Sequence, residues 1–117
     1  MNRLTEHWSP GIVFDTVNYE GWPLPEKVAR GAEEVVMTFG SFMASFRSLE
    51  IAEPQVTELD DRHVLALYDE IRREHGSDDP LVRQMAMVFE LGGDEIEYVT
   101  VFTDQERAKA FGREVSG

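Results

Sequence analysis

Cysteine is absent from the sequence, which excludes disulfides, thiolate metal sites and cysteine nucleophiles, and makes the chain indifferent to redox compartment. Long hydrophobic runs are missing as well. No segment approaches the roughly 18 to 20 apolar residues of a membrane span, and Met1 to Trp8 lacks the apolar core of a secretory signal. A soluble, cytoplasmic protein is expected. Positive charge is scarce: 11 Lys and Arg stand against 23 Asp and Glu, a formal net charge of −12. Such an exterior repels phosphate backbones and anionic lipid surfaces, so neither nucleic acid nor membrane is expected as a partner. The three histidines, His7, His63 and His75, lack the close spacing of a metal-ligating pair, and no Gly-rich phosphate loop or nucleophile elbow is present. No metal and no cofactor are expected.

What the sequence does have is a 42% hydrophobic content over 117 residues, enough for one buried core in a single domain spanning 1–117. Leu4 to Trp8 reads as the tail of a helix, which Ser9-Pro10-Gly11 breaks before a short strand Ile12 to Phe14. Asn18 to Pro25 carries two prolines and a glycine, and so forms a loop holding Tyr19 and Trp22. From Gly31 to Leu49 the residues Val35, Phe39, Phe42 and Phe46 recur at helical spacing, with Glu33 and Glu34 in the favourable first turn. Strands follow at Glu50 to Glu58, His63 to Glu74, Leu81 to Leu91 and Ile96 to Thr103, separated by Asp60-Asp61, His75 to Pro80 and Gly92-Gly93-Asp94. A last helix runs from Asp104 to Phe111, with Asp104 as N-cap and Gly112 as its stop. The expected fold is α+β, with helices gathered on one face of the sheet.

Several stretches, Gly11-Ile12-Val13-Phe14-Asp15, the Tyr19 to Pro23 loop, the Arg30-Gly31 helix entry, and Met87-Val88-Phe89 followed by a Gly-rich turn and Ile96, resemble SnoaL-like proteins of the nuclear transport factor 2-like superfamily. That superfamily includes ketosteroid isomerases, polyketide cyclases and limonene epoxide hydrolases. The resemblance implies a curved antiparallel sheet wrapped around helices as a cone, of the cystatin-like α+β roll type, with an apolar interior pocket and a homodimer through the outer sheet face. It also implies a long N-terminal helix, of which this chain has at most a remnant before Trp8.

The same resemblance places Asp15 where ketosteroid isomerases carry their general base, and a carboxylate ending an apolar strand is suited to moving a proton. The isomerases' oxyanion acid falls at Met87, which cannot donate, and their donor tyrosine belongs to the missing helix. Thr100 and Val101 stand where polyketide cyclases carry an acid on a late strand. Tyr19 and Trp22 offer flat apolar area with a hydroxyl and an indole donor, and Phe39 and Phe42 extend that area from the helix. Met85 and Met87 share one strand face with Arg83, which suits an adaptable wall and a clamp for a ligand carboxylate. On the central strand either Tyr68 or Asp69 faces inward, and the phenol is the better fit for an apolar wall. Glu70 to Glu74 reads as a solvated stretch or a blunted edge. Two functional classes follow: a cofactor-independent cyclase, isomerase or dehydratase acting on a small hydrophobic or aromatic metabolite, and a non-catalytic binding or assembly module.

Overall fold

A computed structural model describes residues 7–117; of the helix tail expected over Leu4 to Trp8, Leu4 to Glu6 lie outside the described residues, while His7 is in a turn and Trp8 in a strand. The elements are β1 (Trp8–Asp15), β2 (Val28–Arg30), α1 (Ala32–Ala44), β3 (Ser48–Glu58), β4 (His63–Arg73), β5 (Leu81–Gly92), β6 (Glu95–Phe102) and α2 (Gln105–Ser116). They form an α+β fold around a six-stranded sheet in the order β2-β1-β6-β5-β4-β3. The last four strands make the antiparallel meander that the turn residues predict. The sheet is nonetheless mixed, because β1 runs parallel to β6, and its two edges do not meet.

Several local outcomes depart from the sequence expectation. Ser9-Pro10-Gly11 does not break the chain; β1 starts at Trp8 and accommodates these residues as an irregularity in its pairing with β6 between Trp8 and Val13. The three-residue β2 is too short to show any periodicity, and it forms by pairing Val28 to Arg30 with Asp15 to Val13. Helix α1 ends at Ala44, before the expected Leu49, because the Arg47 N–H donates to the Arg73 carbonyl and Ser48 and Leu49 pair with β4. Tertiary pairing overrides helical spacing there. A second irregularity lies between Ala52 and Gln55 in β3, where Glu53 has φ 51° just before Pro54. Such a bulge bends an edge strand, and with the acidic residues around it discourages pairing with another chain.

The two helices do not share one face of the sheet, as expected, but pack on opposite faces. Along β5, Met85 belongs with Tyr68, Phe14 and Val35 in the cluster under α1, whereas Ala86 and Val88 join Leu65, Phe102 and Ala108 under α2. The period of two distributes apolar side chains to both faces of the central strands, so each face needs its own helix. Gly112 does not stop α2, which continues to Ser116. It is buried there, and a Cβ at this position would stand 2.8 Å from Leu59 Cδ1, so glycine serves close helix packing rather than termination. Helix α2 therefore covers part of the outer sheet face that the resemblance assigns to a subunit contact.

Asp104 caps α2 as expected, accepting from the N–H groups of Glu106 at 2.9 Å and Arg107 at 3.2 Å. Asp104→Ala removes both acceptors and is expected to lower unfolding free energy by about 1 kcal/mol. Urea denaturation followed by circular dichroism measures it, and an unchanged midpoint would show that the helix is held by packing alone.

Candidate functional site

A cavity of about 480 Å³ opens between α1 and the inner face of the sheet. Helix α1 contributes Val36, Phe39, Gly40 and Met43, one helical stripe, together with Phe42. Strand β1 supplies Trp8 and Phe14, the loop after it Tyr19 and Trp22, and β4 Tyr68 and Glu70. The aromatic rings form a continuous array: Trp8 stacks on Phe39 at 5.8 Å, Phe39 meets Phe14 at 4.7 Å, and Trp22 stacks on Phe42 at 4.7 Å with Tyr19 against it at 5.1 Å. Each such pair adds about 0.5–1.5 kcal/mol beyond its area burial, so the walls are set by their mutual packing. Gly40 is unusual, since a mid-helix glycine costs about 1 kcal/mol relative to alanine. Gly40 is exposed and no atom lies within 4 Å of the position its Cβ would take, so the glycine leaves the mouth of the cavity open beside Val36 and Met43.

The polar end of this cavity is Glu70. Its side chain is only 5% exposed, although it stands in a stretch whose composition suggests solvent. The Tyr19 hydroxyl donates to both carboxylate oxygens, at 2.9 and 2.8 Å, and Arg83 Nη2 stands 3.7 Å from Oε1. The pairing follows from register, because Glu70 and Arg83 are directly opposed in the β4 and β5 ladder. Arg83 also lies over the Tyr19 ring at 4.8 Å, and its Nη1 donates to the Glu20 carbonyl at 2.9 Å. The loop is thereby tied to the sheet at its aromatic end. Further bonds hold it, from the Glu20 N–H to Thr103 Oγ1 and from Trp22 Nε1 to the Glu26 carbonyl.

Burial, the hydrogen bond to Glu70 and the Glu70 charge push the Tyr19 hydroxyl up to about 12, with Arg83 opposing. Burial, followed by the charge of Glu70, raises Tyr68 well above the ordinary phenol range. Both phenols are therefore neutral donors at physiological pH. Tyr19 spends its proton on Glu70, whereas the Tyr68 hydroxyl makes no hydrogen bond among the described residues and belongs to the cavity wall.

No family model and no curated protein matches the sequence. Solved structures do match. TerC, co-crystallised with polyporic acid, superposes with a TM-score of 0.73 at 8% identity, over 93% of this chain and 82% of TerC. A Catenulispora acidiphila protein with a ketosteroid isomerase-like fold, in complex with trimethylamine, gives 0.71 at 13% identity over 85% and 71% of the two chains. A candidate SnoaL-like polyketide cyclase from a Jannaschia species gives 0.68 at 16% identity over 90% and 72%. The fold is that of the nuclear transport factor 2-like proteins.

Within this nuclear transport factor 2-like fold the structure brings Tyr19, Trp22, Phe39, Phe42, Tyr68 and Met87 to one cavity wall. Met85 is fully buried in the core beneath the wall, and Arg83 stands behind Tyr19 rather than on the wall. Asp15, the expected base, lies outside the cavity. Phe14 takes the inward position, so Asp15 faces the opposite side, accepting the Tyr98 hydroxyl at 2.7 Å and the Val17 N–H at 3.0 Å. Burial and that bond to Asp15 push Tyr98 up to about 12. The carboxylate that reaches the cavity is Glu70, which the sequence disguises among alternating charges. The signal available was its period-two relation to Tyr68: if Tyr68 faces inward, so does Glu70. Among the described residues no group of His, Cys, Asp and Glu is placed to hold a metal ion, and no helix is long and apolar enough to cross a membrane.

Tyr19→Phe removes a hydrogen bond to a charged acceptor and is expected to cost about 1.5–3 kcal/mol at neutral pH. Because Tyr19 in the folded state lies at about 12 against an ordinary value of 10.0, folding holds the proton more tightly. Stability is full below pH 10 and falls as pH rises towards 12. Denaturant unfolding across that alkaline window should show a shallower decline in Tyr19→Phe than in the parent, and equal slopes would contradict the assignment.

Proposed function

We propose that this protein binds a small, ring-containing organic molecule in the cavity under α1, and that Glu70 and Tyr68 act on it as proton acceptor and hydrogen-bond donor. The observation that carries the reading is a buried carboxylate in a cavity otherwise lined by aromatic and aliphatic side chains. Burying a carboxylate is costly unless it is paired and hydrogen-bonded, and apolar packing in its place is often at least as stable. Support also comes from the fold, whose solved members include proteins holding polyporic acid and trimethylamine.

The chemistry available is cofactor-independent acid–base catalysis of a cyclisation, isomerisation or dehydration. The rings hold the substrate flat, Glu70 takes a proton from carbon or oxygen, and the neutral Tyr68 hydroxyl donates to the oxygen where negative charge develops. Tyr19, bonded to both Glu70 oxygens, is a positioning residue in this scheme. That same bond favours a second reading, since a carboxylate already engaged by Tyr19 and faced by Arg83 is also suited to fixing a ligand without transforming it. In both readings Asp15 has no direct contact with the ligand.

Native mass spectrometry of the purified protein tests the cavity, with Gly40→Leu as the control. The leucine side chain projects into open space and replaces a mid-helix glycine, so the variant is expected to fold with stability equal to or up to about 1 kcal/mol above the parent. A retained small-molecule mass should be present in the parent and lost in Gly40→Leu; the same mass in both would place the ligand elsewhere. Once a substrate is in hand, Glu70→Gln separates the two readings. Loss of turnover by a factor of about 10² or more with binding kept marks catalysis, and loss of binding alone marks the non-catalytic module.

A further inference from the structure

We propose that the ligand of this cavity is an organic cation: a ring-bearing amine, protonated or quaternary, whose charge rests between the aromatic walls and Glu70. The inference rests on the cavity being a ligand site and adds the charge of what it takes. Three separate features point to positive charge. Glu70 is the one charged side chain on the cavity wall among the described residues. The other polar wall groups are two neutral phenols and two indoles, and the faces of aromatic rings attract cations through their quadrupoles. The chain as a whole carries −12, a field that draws cations towards the molecule and repels carboxylates and phosphates.

The protein already uses this chemistry at the cavity margin. Arg83 stands over the Tyr19 ring at 4.8 Å and Arg72 over the Phe46 ring at 5.0 Å, and Phe46 itself packs edge-on against Phe42 of the wall. Neither guanidinium is part of the wall, so the aromatic surface that faces inward has no cation of its own. Glu70 retains capacity to receive one. A carboxylate has about four acceptor directions, whereas Tyr19 supplies a single proton shared between the two oxygens and Arg83 Nη2, at 3.7 Å, is beyond hydrogen-bond reach. Arg83 offsets part of the Glu70 charge from behind Tyr19. It does not occupy the cavity side. An anionic ligand would meet the carboxylate directly, and a neutral hydrocarbon would use only the rings.

The test compares benzyltrimethylammonium with neopentylbenzene, which has the same shape with carbon in place of nitrogen. Titrations of the full chain are followed by the fluorescence of Trp8 and Trp22, both on the wall, and by calorimetry. The expected result is at least tenfold tighter binding of the cation to the parent protein, with the ratio between the two compounds falling severalfold in Glu70→Gln. Equal or tighter binding of the hydrocarbon to the parent overturns the cation proposal while leaving the small-molecule cavity in place, and that comparison needs no variant. Failure of both compounds to bind, together with no retained mass in the purified protein, overturns the cavity reading as well. Binding of the cation that survives unchanged in Gly40→Leu places the cation outside the cavity and also overturns the proposal.

Discussion

The carboxylate of Glu70 is the constraint to which the rest of the inner face adjusts. Taken out of water on the interior strand β4, it has to be compensated, and the compensation comes from two directions. Arg83 arrives from the neighbouring strand because antiparallel register sets it directly opposite, and Tyr19 arrives from the loop after β1. That loop is consequently not free. It is pulled onto the sheet by the Tyr19 hydroxyl, by the Arg83 bond to the Glu20 carbonyl and by the Thr103 side chain, and it carries Trp22 with it onto the cavity wall. One buried charge thus orders a segment whose two prolines and glycine exclude regular secondary structure.

The aromatic array completes the geometry. Rings from β1, the loop and α1 touch in sequence from Trp8 to Tyr19, so the distance between helix and sheet is set by stacked and edge-on contacts rather than by close helix packing. Gly40 at the crossing point and the exposed Val36, Met43 and Ile51 around the mouth leave this space open on one side. Pairing is irregular in β1 and β3, each time beside a proline, and again between Glu90 and Leu91 in the β5–β6 pair, and such irregularities bend the strands that carry them. On the other face, α2 packs over Leu65, Val88 and Phe102, where Ala108 and Gly112 allow close approach. The two faces of one sheet therefore serve different ends: one is packed tightly, and the other is held apart by large rings.

Much of the architecture was legible in the chain. Val35, Phe39 and Phe42 mark α1, the turn residues between 59 and 95 mark a meander, and Asp104 marks the start of α2, because each of these signals is local. What was illegible depended on partners distant in sequence. The end of α1 is decided by pairing with Arg73, the parallel course of β1 by its docking beside β6, and the place of Gly112 inside α2 by its packing against Leu59. The helices' separation onto two faces was implicit in the alternation along β4 and β5. Both faces of those strands are apolar, so neither can be left to water.

For the site, sequence by itself determined the materials: an acid-rich chain without cysteine, two aromatic residues on a constrained loop, an aromatic helix face, and a central strand on which Tyr68 and Glu70 must share a side. Only the tertiary structure decided which carboxylate meets the cavity. Asp15 and Glu70 are both acidic residues beside apolar strand positions, and their chemistry is the same in one dimension. The register of β1 turns Asp15 towards Tyr98, and the register of β4 turns Glu70 towards Tyr19. The physical reason is the two-residue period of a strand: a shift of a single position exchanges solvent for interior, and that choice is made by the whole sheet rather than by any residue within it.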